Sequence, residues 1–252
     1  MTRTVVTVSI DDDVQVAEQL LRLHDISSLP VVGRDGDLAG VISFRDLLNA
    51  GHVLGRMLGA RTALTLPAAN VGELMTPTPI SVAPSTSILE AAKIMVTRRI
   101  HRVYVVEAGS IVGVLTTNDL VRIVGEGSIA VPITRYATSP VLTIDASATL
   151  FQAVEMLASS FVSGLVVVDD GLPCGLFTQL EALARKDLDD ETRVGDVVEY
   201  SVITLPWRTP LFRAAAFASN GRARRVLAMD GTDMQGILSG LDFIRAGVEH
   251  AG

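Results

Sequence analysis

The fold is decided by the stretch Gly40-Val-Ile-Ser43-Phe-Arg-Asp46, because its pattern returns three times. The later copies are Gly113-Val-Leu-Thr116-Thr-Asn-Asp119, Gly175-Leu-Phe-Thr178-Gln-Leu-Glu181 and Gly236-Ile-Leu-Ser239-Gly-Leu-Asp242. Each holds a glycine, two apolar residues, a hydroxyl, two variable residues and a carboxylate, and successive glycines lie 73, 62 and 61 positions apart. Working backwards, every copy is preceded by an apolar run: Leu29-Pro-Val-Val32, Val103-Tyr-Val-Val106, Leu165-Val-Val-Val168 and Val226-Leu-Ala-Met229. Further back the copies align without gaps from Val14, Ile88, Leu150 and Leu211, with an alanine three positions on (Ala17, Ala91, Ala153, Ala214). A period of this kind marks stacked copies of one supersecondary unit.

Local patterns give the unit its shape. Val14, Ala17, Leu20 and Leu21 fall at helical spacing, as do Ile88, Ala91, Ile94 and Met95, and Asp11–Asp13 and Ser85–Ser87 supply helix-start chemistry before them. The β-branched run reads as a buried strand, the Gly-containing segment as a turn and second strand, and a last helix follows each hydroxyl over 46–50, 119–124, 181–186 and 242–248. The order is strand–helix–strand–strand–helix. A unit this small cannot cover both faces of its sheet, so the copies must associate. Among the connectors, 51–70 reads as a long apolar helical link, 125–132 as a short flexible one and 187–193 as a charged surface link.

Composition narrows the function. The chain has 252 residues, is 48% hydrophobic and 19% charged, and carries a net charge of −7. That excludes a disordered chain, and the negative charge argues against nucleic acid or anionic lipid as main partner. The longest uncharged stretch is broken by Pro77, Pro79 and Pro84, so no membrane span is expected. A lone Cys174 and an N-terminus without signal-peptide character point to the cytoplasm. Of 21 basic residues only Lys93 and Lys186 are lysines, so phosphate contacts would fall to arginine.

With lead-in segments Val71-Gly-Glu-Leu-Met75-Thr-Pro and Val194-Gly-Asp-Val-Val198 added, nearly the whole chain resembles the CBS (cystathionine beta-synthase) domain family, in its form with four copies arranged as two Bateman modules. The resemblance implies an α/β (α+β) fold and a pseudo-symmetric disc. Its modules would be 1–127, with copies over 1–50 and 71–124, and 128–252, with copies over 133–186 and 194–248. It also implies a noncatalytic sensor, with no catalytic residue and no required cofactor. The regulatory ligand would be AMP, ADP or ATP, with S-adenosylmethionine as the alternative, and the output would go to an effector protein or a homodimer. A scaffold with empty clefts is the competing reading.

The chemistry fits position by position. A carboxylate accepts charge-assisted hydrogen bonds from the two ribose hydroxyls, and Asp46, Asp119 and Asp242 are the candidates. The hydroxyls Ser43, Thr116 and Ser239 stand at helix starts, which favour anions. The resemblance faces Thr116 and Asp119 with Thr4, Ile26 and Ser27, and Ser43 and Asp46 with Thr78, Ile80, Ile100 and His101. Ser239 and Asp242 would face Thr138, Val141, Val162 and Ser163, and Thr178 and Glu181 would face Ser201, Val202, Ala223 and Arg224. Glu181 departs from the Asp pattern. His101-Arg102 resembles the phosphate-holding His-Arg pair of the gamma subunit of AMP-activated protein kinase, and Arg224-Arg225 stands at the same register. Guanidinium suits bidentate phosphate contact, which favours AMP, ADP or ATP.

Simpler readings stand beside these. Ser/Thr-x-x-Asp/Glu is also a capping box, and a residue can both cap and bind. Arg102, Arg224 and Arg225 also fit as solvated strand-end residues. His24, His52, His101 and His250 lack metal-ligand spacing, and Cys174 reads as inert. Gly125-Glu-Gly127-Ser-Ile-Ala130 matches a dinucleotide fingerprint in letters but follows a helix and runs into Pro132. Trp207 and Phe212 read as core or interface.

Overall fold

A computed structural model describes residues 1–59, 61–160, 162–198, 202–221 and 223–251. The first copy is β1 (Val8–Ser9), α1 (Val14–Leu23), β2 (Ser28–Val32), β3 (Leu38–Ser43) and α2 (Phe44–Leu58). A connector with α3 (Val71–Leu74) and β4 (Thr76–Pro77) leads to the second copy, β5 (Ser81–Val82), α4 (Ile88–Arg98), β6 (Arg102–Glu107), β7 (Ser110–Thr116) and α5 (Thr117–Glu126). A 3₁₀ turn, Ile133–Arg135, opens the third copy: β8 (Thr143–Asp145), α6 (Leu150–Ser159), β9 (Gly164–Asp169), β10 (Leu172–Thr178) and α7 (Gln179–Ala184). Another, Val194–Asp196, precedes the fourth: β11 (Ile203–Pro206), α8 (Leu211–Asn220), β12 (Arg225–Asp230), β13 (Asp233–Ser239) and α9 (Gly240–His250). The expected unit is present in every copy.

Within each copy the first strand runs parallel to the second, as the intervening helix requires, and the second and third form an antiparallel hairpin. Helix starts follow side-chain chemistry: Ser87 Oγ accepts from Glu90 N at 3.2 Å, and Thr149 and Gln152 form a reciprocal capping box. Asp13, by contrast, caps without a side-chain bond.

The repeated glycine has a steric cause. A Cβ on Gly40 would sit 3.1 Å from Thr76 O, on Gly113 3.2 Å from Thr2 O, and on Gly236 3.1 Å from Thr138 O. At each, a lead-in segment runs directly across the strand. Those segments are exchanged: Thr2, ahead of the first copy, pairs with Val114 of the second; Thr76–Pro77, ahead of the second, pairs with Val41 and Gly40 of the first; Thr138, ahead of the third, pairs with Ile237 of the fourth.

The chain divides into two compact units that do not follow chain order. One comprises Val6–Pro79 and Leu142–Ser201, the other Met1–Val5, Ile80–Val141 and Val202–Gly252. In the first, the helices of the first and third copies enclose one core that includes Leu21, Leu47, Leu157 and Phe177. In the second, α5 packs between α8 and α9 of the fourth copy, and the cores gather Val121, Ile133, Leu211 and Phe243, and Met95, Leu115 and Ile244.

Two connectors depart from the sequence reading. The 51–70 link is helical only to Leu58, where Gly59 takes a left-handed conformation (φ 61°) and ends α2. Ala63 and Leu64 then lie buried as an extended strap, their amides donating to Leu188 O (2.9 Å) and Lys186 O (3.1 Å). The 125–132 link is not a loose tether. The amides of Phe212 and Leu211 donate to Ile129 O and Val131 O, and Ile133 N donates to Thr209 O, which pins the segment to the start of α8.

Candidate functional site

Every repeated hydroxyl is the N-cap of the helix that follows, and every carboxylate bonds back to it. The backbone N–H and side-chain hydroxyl of Ser43 donate to Asp46 Oδ2 at 2.8 and 2.6 Å. Thr116 does the same to Asp119 Oδ2 at 2.9 and 2.8 Å, and Ser239 to Asp242 Oδ2 at 2.8 and 2.8 Å. Thr178 N donates to Glu181 Oε2 at 2.9 Å, and its hydroxyl bonds the same oxygen. The capping reading therefore holds in all four copies.

Capping uses one carboxylate oxygen and fixes the other, and here the copies diverge. Asp242 Oδ1 accepts from Arg245 Nη2 at 3.2 Å, and Asp119 Oδ1 lies 3.8 Å from the Met1 ammonium. Asp46 Oδ1 accepts no hydrogen bond from the described residues. Asp46 stands at one end of an open cavity of about 530 Å³ between α2 and α3, lined also by Asn49, Ala50, Val53, Leu54, Met57, Glu73 and Leu74. Burial raises the Asp46 carboxyl above the ordinary aspartate range, against the opposing pull of the Ser43 hydroxyl, the Ser43 amide and the Arg45 charge.

Three of the motifs share a unit with a lead-in segment assigned to them. Thr116 and Asp119 share a unit with Met1–Val5, which contains Thr4; Ser43 and Asp46 share one with Thr78; Ser239 and Asp242 share one with Thr138 and Val141. Thr78, at φ 56°, donates its amide to Ala39 O at 3.4 Å, beside β3. The other residues assigned to each motif belong to the opposite unit: Ile26 and Ser27 for Asp119, Ile80, Ile100 and His101 for Asp46, Val162 and Ser163 for Asp242, and Val202, Ala223 and Arg224 for Glu181. Ser201 lies outside the described residues.

The candidate phosphate contacts His101, Arg102, Arg224 and Arg225 lie in one unit. Arg102 at the start of β6, in the second copy, is close enough to Arg224 of the fourth for the two charges to interact, and Arg225 opens β12. Burial is the largest influence on Arg102 and lowers its pKa; Tyr104 opposes this and Arg224 adds to it.

Several contributors escaped the sequence reading. Arg45, next to Asp46, donates to Val162 O at 3.0 Å and so ties the first copy to the start of β9. Arg245 and Tyr136 around Asp242 were not singled out, although the Asp-x-x-Arg spacing on a helix signals an i,i+3 pair. Cys174 is raised by burial, with its Sγ on Val167 O at 3.4 Å, as expected of an inert thiol. Among the described residues, no three His, Cys, Asp or Glu side chains could together hold a metal ion, and no helix is long and apolar enough to cross a membrane.

Comparison with known proteins places these observations. A family model described as CBS domain matches residues 1–53, 71–126 and 133–185. The fourth copy falls outside those matches and is identified by its β11–α9 order. An uncharacterised 33.4 kDa protein in the ribosomal RNA operon of Thermofilum pendens is 26% identical over 186 residues, 69% of this chain and 58% of its own length. Inosine-5'-monophosphate dehydrogenase of Korarchaeum cryptofilum is 38% identical over 120 residues, 47% of this chain but 22% of that enzyme. The chloroplastic CBS domain-containing protein CBSX2 of Arabidopsis thaliana is 32% identical over 133 residues, 45% of this chain and 54% of its length. In each case the chain covers less than two thirds of the relative's length. Among solved structures, protein MJ1225 of Methanocaldococcus jannaschii, described as a candidate archaeal homologue of the gamma subunit of AMP-activated protein kinase, superposes with a TM-score of 0.84 at 18% identity, covering 97% of this chain and 96% of that one. A conserved protein of Pyrococcus horikoshii gives 0.62 at 23%, with the same coverage. Likenesses at these identities establish the fold.

Proposed function

Because the chain belongs to the CBS domain family, we propose that it is a noncatalytic regulatory protein that takes an adenosine-containing ligand, AMP, ADP or ATP ahead of S-adenosylmethionine, at its repeated hydroxyl–carboxylate motifs. The observation that carries this reading is Asp46. Its Oδ2 is held by its own N-cap, its Oδ1 accepts no hydrogen bond among the described residues, and the residue lines a cavity of about 530 Å³, within the size range of small-molecule sites. A preorganised carboxylate with a spare oxygen is what a vicinal diol requires. The nearness of Arg102 and Arg224 supports a phosphate-bearing ligand over a sulfonium. The exchange of lead-in segments between first and second copies, and from third to fourth, supports pairing those copies as modules over 1–127 and 128–252. Ligand binding would shift the pair's geometry, to be read by an effector protein or a second copy of the chain in the cytoplasm.

Titration calorimetry with AMP, ATP and S-adenosylmethionine tests the reading. Binding of AMP or ATP tighter than about 1 mM supports it, and the absence of heat for all three at that concentration overturns it.

A further inference from the structure

The four motifs are alike in sequence, yet the first and fourth copies differ at the flank of the carboxylate. The registers Val41↔Thr76 and Ile237↔Thr138 align Leu74 with Tyr136, and the helices align Asn49 with Arg245 and Val53 with Glu249. In the first copy Asn49, Val53 and Leu74 leave the cavity beside Asp46 open. In the fourth, larger side chains stand at the same register. Arg245 Nη2 donates to Tyr136 O at 2.8 Å and to Asp242 Oδ1 at 3.2 Å, and its guanidinium carbon lies 5.5 Å from the centre of the Tyr136 ring. The Tyr136 hydroxyl in turn donates to Glu249 Oε2 at 2.6 Å, so both ends of the plug are tied to α9.

We infer that Arg245 is a specificity-determining residue that withholds Asp242 from ribose recognition, an inference that rests on the proposed role of the motif carboxylates. The spare oxygen that Asp46 keeps for a diol is, in Asp242, already committed to a guanidinium, and the space a sugar would need is taken by the Arg245–Tyr136 pair. An arginine at this register does not by itself produce the plug. Arg122 of the second copy stands three residues after Asp119 but turns outward to Glu126, at 3.3 Å. Arg245, though partly exposed, is held over Asp242 by the Tyr136 carbonyl and ring. The fourth motif therefore keeps its capping function and loses its diol function, and the repeats are divided by role.

The test makes the fourth copy resemble the first. Adenosine is the probe, because it carries the diol without a phosphate that Arg245 itself would attract. Arg245→Asn should add an adenosine site, binding within about tenfold of the wild-type site, and Asp242→Ala in that background should remove it. Arg245→Met, which keeps the aliphatic stem over Tyr136, serves if the first variant does not fold. Titration curves identical to wild type in the folded variants overturn the inference while leaving wild-type nucleotide binding intact. A gain in the variant from a wild type that binds no adenosine upholds the inference, while AMP and ATP titration of the wild type decides the proposed function separately. Silence from variant and wild type alike overturns the inference.

Discussion

Asp46 caps α2 and, in the proposed function, also takes the ligand, and its titration bears on both roles. Its folded pKa is raised, chiefly by burial, so the native state binds this proton more tightly than the unfolded chain does. The stabilisation from the protonated form is thus fully present below the unfolded value, about 3.9, and is lost as pH rises through the folded value. Urea unfolding across about pH 3 to 7 should show wild type losing stability relative to Asp46→Asn as the pH rises. A constant difference would contradict the buried placement. The same shift means that nucleotide affinity, if it depends on the ionised carboxylate, falls on acidification at a higher pH than for an ordinary aspartate. The capping was legible beforehand, since Ser43-x-x-Asp46 announces a capping box. Which oxygen is spare was not, because that depends on Asn49 and Arg245, whose side-chain directions follow from neighbours in the lead-in segments.

Elements were legible where periodicity is strong and illegible where exposure mimics a core. Residues 51–58 read as the start of a helical link, and they are helical, but as the last turns of α2, with Val53, Met57 and Leu58 between 57% and 79% accessible. The 125–132 segment read as short and flexible, yet Gly125 is a packing residue. A Cβ there would meet Ala216 N at 2.8 Å and Ala216 Cα at 3.0 Å, so α5 and α8 touch backbone to backbone. This also explains why the fingerprint-like letters occur without a nucleotide loop. Gly125→Ala should cost about 1–3 kcal/mol in thermal or urea unfolding, despite the gain in helix propensity, because a backbone neighbour cannot swing aside. In the first unit, Phe177→Ala empties a fully buried position and should cost about 3–5 kcal/mol by the same measurement. An unchanged midpoint in either variant would contradict the packing described.

At the scale of the molecule, the sequence announces four copies but not which of them share a core. All the helices carry similar apolar stripes, so nothing in their spacing favours one pairing. The structure joins the first copy to the third and the second to the fourth through helices, while lead-in strands join the first to the second and the third to the fourth. A fragment ending at residue 127 would therefore lose the packing partners of α2 and α5, leaving Leu47, Val121 and Val124 without their cover. Sedimentation of residues 1–127 alone should show self-association, two fragments covering one another; a stable monomer would contradict the shared cores. The central claim, that the repeated carboxylates form an adenosine site led by Asp46, is tested most directly by a crystal structure of the full chain grown with AMP. The ribose diol should lie within hydrogen-bond distance of Asp46, with Arg245 still on Asp242. A crystal without nucleotide at Asp46, or with the ribose on Asp242 and Arg245 unmoved, would contradict it.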